Sequence, residues 1–324
     1  MNVLITGAAG FIGSHLSDRF TDEGWHVIGI DNFLTGRREN LEHLQENTNF
    51  SLIEGDITDK TVFQEELGRM ELDLILHFAC PASPADYLNY PIETLMVDSI
   101  GTFNVLNLAR DKNARYVFAS TSEVYGDPEI HPQPENYWGN VNPIGLRSVY
   151  DETKRFSEAL SMAYYREYDI DVRILRIFNT YGPRMKLDDG RVVPNFISQA
   201  LRGADLTVYG DGSQTRSFCY IDDLIEGIYQ TCVLEVIENV EDRILNLGKP
   251  EECSIIDFAE LIIKKTGSKS KITYKPLPTD DPKMRKPDIT RAKQILGWKP
   301  ETSLDEGLYK TIEFFRWEKN RLGE

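Results

Sequence analysis

The sequence predicts an α/β protein built on a doubly wound parallel sheet, with a smaller C-terminal part intertwined with it. Two observations carry this reading. Short apolar runs alternate with amphipathic stretches through the first half, the pattern of successive β-α-β units. After about Phe178 the texture changes to loops marked by Gly182-Pro183-Arg184, Asp188-Asp189-Gly190 and Gly210-Asp211-Gly212. The return of apolar periodicity beyond them indicates that the chain goes back to the sheet before finishing in helices.

The elements follow in order. The spacing predicts strands over 2–6, 26–31, 50–54, 72–78, 115–120 and 171–177, and helices over 11–23, 38–45, 60–67, 92–111 and 147–168. Gly24 sits just past the first helix, where a stop residue belongs. A further helix is expected near 194–202 and a short strand over 206–209. Residues 221–233 and 244–247 are expected to return to the sheet domain, and helices over 254–266, 289–296 and 304–320 complete the chain. This divides it into a cofactor domain, 1–178 with return segments about 217–248, and a substrate domain, 179–216 and 249–324, with the ligand cleft between them.

Composition narrows the function. The 324 residues are 41% hydrophobic and 27% charged, as in ordinary globular proteins, and net charge is −16. Broad nucleic-acid binding needs a basic surface and is excluded; an anionic ligand must be held by a local Arg/Lys cluster. Cys80, Cys219, Cys232 and Cys253 are scattered, which predicts neither disulfides nor zinc and points to a reducing compartment. His15, His26, His43, His77 and His131 show no ligand spacing, so no metal is expected. No apolar run is long enough to span a bilayer and no signal peptide is expected, so the location is predicted to be cytoplasmic.

A nucleotide site is written at the start. Gly7-Ala8-Ala9-Gly10-Phe11-Ile12-Gly13 follows the first strand and opens the first helix, the Rossmann-type arrangement. Gly7, Gly10 and Gly13 permit the tight turn, close approach to a pyrophosphate and helix–strand packing, with Phe11 and Ile12 between them at the helix N-terminus. Asp31 ends the second strand, where a carboxylate binds the adenosine ribose; it repels a 2′-phosphate and so favours NAD, although Arg37 and Arg38 follow closely. Asn32, Phe33, Thr35 and Gly36 in the next loop, Asp56 with Ile57 after the third strand, and Ala79 after the fourth are further cofactor contacts. Asp56 reads equally well as an Asx-turn residue.

Tyr150 and Lys154 lie four apart in a predicted helix, on one face and one turn apart. A tyrosine of ordinary pKa is a poor base at neutral pH, and a neighbouring ammonium favours its phenolate, making a proton acceptor for a hydroxyl. By itself such a pair is usually a surface pair; the glycine turn gives it meaning.

Together the glycine turn, Ser120-Thr121-Ser122-Glu123-Val124-Tyr125-Gly126 and Tyr150-x3-Lys154 resemble the extended short-chain dehydrogenase/reductase family. The resemblance runs nearly end to end, including Leu296-Gly297-Trp298, whose Trp reads as a packing residue. Pro81-Ala82-Ser83-Pro84, Asn142-Pro143-Ile144-Gly145, the run from Arg176 to Met185, Asp189-Gly190-Arg191-Val192-Val193, Gly212-Ser213-Gln214-Thr215-Arg216 and Arg285-Lys286-Pro287-Asp288 are similar to the branch that decarboxylates UDP-glucuronate to UDP-xylose. Phe78 and Cys80 stand where that branch more often has Leu and Ser.

The resemblance implies NAD as cofactor, a UDP-sugar as substrate and a homodimer joined through a helix bundle formed by 92–111 and 147–168. It makes Tyr150 the base at the sugar C4 hydroxyl, Lys154 its partner on the nicotinamide ribose, and Thr121 a hydrogen-bonding partner of the C4 oxygen. Glu123 and Arg285 are implied in the decarboxylation step, Glu123 acting on the substrate carboxylate or ring and Arg285 by electrostatics near C5. Without the resemblance, Glu123 reads as a loop carboxylate and Arg285 as an ion-pair partner of Asp280, Asp281 or Asp288. Pro81, Ser122, Asn179, Arg191, Val193, Tyr209, Gln214 and Arg216 are implied in substrate binding, and Arg184 on the cofactor side. The rival within the family is a nucleotide-sugar 4,6-dehydratase, which shares the C4 oxidation but loses water; Ser122, where thymidine-type glucose dehydratases carry Asp, argues against that type.

Overall fold

The computed structural model describes residues 1–277 and 284–323. The chain runs β1 (Asn2–Thr6), α1 (Phe11–Asp22), β2 (His26–Asp31), β3 (Phe50–Glu54), α2 (Lys60–Glu65), β4 (Leu74–His77), α3 (Pro84–Asn89), α4 (Pro91–Met96), α5 (Thr102–Lys112), β5 (Arg115–Thr121), α6 (Ser148–Tyr168) and β6 (Val172–Ile177). It continues through β7 (Thr180–Tyr181), α7 (Val192–Leu201), β8 (Leu206–Tyr209), β9 (Thr215–Ser217), β10 (Cys219–Tyr220), α8 (Ile221–Val233), β11 (Ile244–Leu247) and β12 (Glu252–Ser254). It ends with α9 (Ile255–Thr266), β13 (Ile272–Lys275), β14 (Met284–Arg285), α10 (Thr290–Leu296) and α11 (Leu304–Leu322).

Seven strands form one parallel sheet in the order β11-β6-β5-β4-β1-β2-β3. Successive residues of β1 point to opposite faces. Val3 and Ile5 pack with Leu16 and Phe20 of α1 and Leu224 and Ile228 of α8, whereas Leu4 packs with Leu106 and Ala109 of α5. Both faces are covered, which is why the strands read as continuous apolar runs. The order reverses between β1 and β4, so the carboxyl ends of these strands open a crevice. Residues 244–247 do return to the sheet, as its edge strand beside β6.

The loop-rich second half is held by short pairings between distant segments. β9 lies between β12 and β14, with Arg285 in register with Arg216, and β8 pairs with β13. Trp298 is buried against Gly227 and donates from Nε1 to the Asp223 carbonyl at 2.9 Å, the packing role expected of it.

The structure departs from these expectations at three places that bear on the site. Residues 38–45 form two short turns, Arg38–Asn40 and Glu42–Leu44. Tertiary bonds pin the segment: Arg37 N and Asn40 Nδ2 both donate to the Ala9 carbonyl, at 3.0 and 2.9 Å. A helix not foreseen, α3, starts at Pro84 under the Ser83 side chain, which accepts from Asp86 N at 3.0 Å. The long helix expected over 92–111 is interrupted by one wide π turn, Val97–Gly101. There the Asp98 carbonyl accepts a hydrogen bond from the Ser157 hydroxyl.

Candidate active site

The glycine turn is built to leave room. Gly7 has φ +74, and a Cβ there would lie 2.8 Å from the Ala79 backbone; one on Gly13 would lie 2.1 Å from the Gly7 carbonyl oxygen. A Cβ on Gly36 would meet the Asp31 carboxylate at 2.7 Å. Asp31 accepts from Ala9 N through Oδ2 at 2.9 Å and from Phe33 N through Oδ1 at 2.8 Å, which leaves lone pairs on both oxygens. Burial raises its pKa and these two N–H groups oppose the rise.

A cavity of about 360 Å³ runs along this edge, lined by Gly7, Gly10, Asp31, Asn32, Thr35, Gly36, Asp56, Ile57, Ala79 and Pro81. Asp56 lines it while closing an Asx turn with Thr58 N at 2.8 Å, so both readings of that residue hold. Phe11, Ile12, Gly13 and Arg184 line its continuation toward Tyr150. Arg184 pairs with Asp18 at 2.7 Å, and its buried Nη1 has no partner, a donor available to a bound phosphate or ribose. Arg37 is paired with Glu318 and Arg38 with Glu54, while the Asp31 carboxylate would repel a 2′-phosphate. The glycine cradle, the ribose-facing carboxylate and this orphaned donor fit a dinucleotide without a 2′-phosphate. Phe33 does not line the cavity; it lies under the Arg38 guanidinium, 3.8 Å away.

Tyr150 and Lys154 are both buried on α6 and line the middle of the cleft with Thr121. The Tyr150 ring stacks on Tyr87 at 5.1 Å. Lys154 Nζ lies 5.8 Å from the Tyr150 ring centre and donates to Asp98 Oδ1 and the Ala119 carbonyl, both at 3.1 Å. Burial raises the Tyr150 pKa above the ordinary value; Lys154 and a hydrogen bond with Thr121 oppose the rise, while Cys80 and Asp98 add to it. The Lys154 pKa is also raised: burial works against its charge, and Asp98, Cys80 and Tyr150 together outweigh it.

Glu123 follows Thr121 in a short turn after β5, and the Thr121 side chain accepts from Glu123 N at 3.2 Å. Its carboxylate pairs with Arg147 and, at 3.2 Å, with Arg285 Nη2. Burial disfavours its charge, but Arg285 first and then Arg147, with Arg216 further off, bring its pKa down to about 2. Arg285 is 1% exposed and also donates to the Ser122 carbonyl at 2.6 Å. It touches the cleft lining through Glu123 and the Ser122 carbonyl. The alternative partners Asp280 and Asp281 lie outside the described residues.

Beyond Tyr150 the cleft widens into a second cavity of about 410 Å³, lined by Asn179, Arg191, Val193, Tyr209, Gln214 and Arg216. Arg191 is held by Asp189, and Gln214 donates to the Tyr209 carbonyl at 2.7 Å. Sequence reasoning missed Asp98, Arg147, Asp151 and Tyr87. Arg147 had a signal, a lone cation at the start of the Tyr150 helix. Burial pushes the Asp151 carboxyl up to about 7, and the Glu123 charge adds to the shift. Among the described residues, no group of three or more His, Cys, Asp or Glu side chains is placed to hold a metal, and no helix is long and apolar enough to cross a membrane.

Comparison with known proteins agrees with this geometry. Residues 4–311 match the family model described as GDP-mannose 4,6 dehydratase. UDP-glucuronic acid decarboxylase 1 of Xenopus tropicalis is 51% identical over 98% of this chain and 72% of its own length. UDP-glucose 4-epimerase of Thermotoga maritima, solved with UDP-glucose, superposes with a TM-score of 0.89 at 30% identity over 98% of this chain and 99% of its own. The dTDP-glucose 4,6-dehydratase of Streptomyces venezuelae, solved with NAD, superposes at 0.88 and 27% identity over 99% of this chain and 98% of its own. With its glycine turn and its Thr121–Tyr150–Lys154 centre in one cleft, the chain belongs to the UDP-glucuronic acid decarboxylases of the extended short-chain dehydrogenase/reductase family.

Proposed function

We propose that the protein converts UDP-glucuronate to UDP-xylose and CO2 through transient oxidation at C4 of the sugar on a tightly held NAD. The observation that carries this reading is the single cleft in which the glycine turn, Thr121, Tyr150 and Lys154, and Glu123 share one lining. Reversible hydride transfer at C4, with no net redox, is the chemistry that a bound NAD would supply. Gly7, Gly10, Gly13, Asp31 and Arg184 would hold it.

Tyr150 takes the C4 hydroxyl proton, Thr121 hydrogen-bonds the C4 oxygen, and Lys154 holds the nicotinamide ribose and favours the phenolate. The ketone so formed is β to the substrate carboxylate. The bond from C5 to that carboxylate breaks, CO2 leaves, and the electron pair is delocalised onto the C4 oxygen. C5 then takes a proton and the C4 carbonyl is reduced. A carboxyl held near pKa 2 is not a proton donor, and a guanidinium holds its proton too tightly to give one. Glu123 and Arg285 therefore orient the sugar and set the charge beside C5, and a water delivers the proton. Arg191 and Arg216 take the diphosphate and Tyr209 faces the uracil, supported by their place in the outer cavity.

The same reading makes residues 1–178 with 217–248 the cofactor domain and 179–216 with 249–324 the substrate domain. It makes the protein a cytoplasmic homodimer with no nucleic-acid or membrane partner. Ile92, Ile100, Phe103 and Phe156, exposed on α4, the π turn, α5 and α6, support a helix bundle across the dimer. Incubation with UDP-glucuronate should release CO2 and UDP-pentose. A 4-keto-6-deoxy sugar from dTDP-glucose or GDP-mannose, with neither product from UDP-glucuronate, would establish a dehydratase instead.

A further inference from the structure

A fully buried carboxylate stands behind the Tyr150–Lys154 pair, and nothing in the chemistry above uses it. Asp98 is 0% exposed and sits in the π turn between α4 and α5. Its Oδ1 accepts from Lys154 Nζ at 3.1 Å, and its Oδ2 accepts from the Cys80 thiol at 3.1 Å. Its own carbonyl is occupied by the Ser157 hydroxyl, from the turn of α6 that follows Lys154. A carboxylate is costly to bury, and here its charge is matched by one ammonium and its second oxygen by one thiol.

The surrounding groups make the pairing decisive. Lys154 Nζ has Asp98 and the Ala119 carbonyl as its hydrogen-bond acceptors. The titratable or charged groups facing the cluster are His77 and Cys80 from β4 and the loop after it, Tyr116 from β5, Tyr150 on α6, Tyr87 stacked on Tyr150, and Arg191 on the far side of Tyr150. His77 is bound on both ring nitrogens by Thr6 and Thr102, at 2.9 and 3.0 Å, and burial, with Lys154 adding, lowers its pKa to about 3, so it is neutral. Burial likewise pushes the Cys80 thiol well above its ordinary value. Arg191 is already matched by Asp189. Asp98 is thus the buried anion that directly offsets the Lys154 charge.

We propose that Asp98 is a positioning residue that locks the Lys154 ammonium in place and offsets its charge, so that the Tyr150–Lys154 base becomes active at a higher pH than a lone Tyr–Lys pair would. The inference rests on Tyr150 and Lys154 being the base. The lone ammonium favours the phenolate, an adjacent carboxylate cancels part of that pull, and burial then prevails. The direction of the shift at Tyr150 agrees: Asp98 acts against the phenolate and Lys154 for it.

The test is Asp98→Asn in the NAD-loaded enzyme, which removes the charge and keeps the shape. Single-turnover oxidation of UDP-glucuronate, followed by the absorbance of the reduced nicotinamide across pH, should show its acid limb moved down by about one to two pH units. Asp98→Glu, which keeps the charge, should leave that limb near wild type. A double-mutant cycle with Lys154→Met, read by denaturant unfolding, should show coupling between the two residues. An unmoved acid limb in Asp98→Asn, or no coupling, overturns the proposal. If Asp98→Asn does not fold, Asp98→Ser carries the same pH test. Retained oxidation in Tyr150→Phe would instead overturn the assignment of the base itself, whatever Asp98 does.

Discussion

Asp151→Asn should make the protein more stable at neutral pH, by an amount that depends on pH. Asp151 is 6% exposed, its Oδ1 has no hydrogen-bond partner, and its carboxyl is raised from 3.8 to about 7, first by burial and then by the Glu123 charge. An acid whose folded pKa exceeds its unfolded one binds its proton more tightly in the folded state. Stability of the native protein therefore falls as pH rises from about 4 to about 7. Roughly three units at 1.36 kcal/mol each set a ceiling of ~4 kcal/mol. That net shift already contains the attraction of Asp151 to Arg147 and Arg285; local relaxation and water penetration around the carboxylate reduce the expected gain to ~1–3 kcal/mol at pH 8. It should vanish near pH 4 and level off above about pH 7. Urea unfolding of both proteins at several pH values, with the cofactor content matched, measures it. A gain of equal size at pH 5 and pH 8, or no gain at either, would refute the reasoning.

Tyr150→Phe keeps the ring stacked on Tyr87 and should lower turnover about a thousandfold while binding UDP-glucuronate nearly as well, read by kcat against equilibrium titration. Glu123→Gln leaves the buried Arg285 without its carboxylate partner and should cost ~2–4 kcal/mol at neutral pH. Because the Glu123 pKa is depressed, that stability is present above about pH 4.5 and is lost as pH falls toward 2, so the cost should shrink in acid unfolding experiments. Phe103→Glu with Phe156→Glu should give a monomer by light scattering with its cofactor retained; an unchanged mass would remove the helix-bundle dimer.

Much of this architecture was legible because periodicity and burial coincide. Val3, Leu4 and Ile5 are all buried, so a run without alternation still marks a central parallel strand. The glycine turn was legible because its chemistry is local, three glycines and an acid at the next strand end. The 38–45 segment misled because its geometry is set by bonds to Ala9, 31 residues before Asn40, which no local pattern announces. Asp98 and Arg147 were missed for the same reason: each becomes functional through a partner far along the chain, Lys154 and Glu123 respectively. The resemblance implied Arg285 at the reacting centre, and the structure holds it against Glu123 and the Ser122 carbonyl, both part of the cleft lining.

The charge on Glu123 is a composite property. Its carboxylate belongs to the turn after β5, one clamping guanidinium to the residue before α6, and the other to β14, 162 residues beyond Glu123. Swapping in a loop from a relative with different chemistry would break this arrangement unless all three segments travel together. A new reaction outcome on this scaffold therefore calls for concerted replacement rather than single-loop grafting. Chimeras that exchange only the Ser122–Tyr125 turn should inherit a carboxylate without its ionisation state.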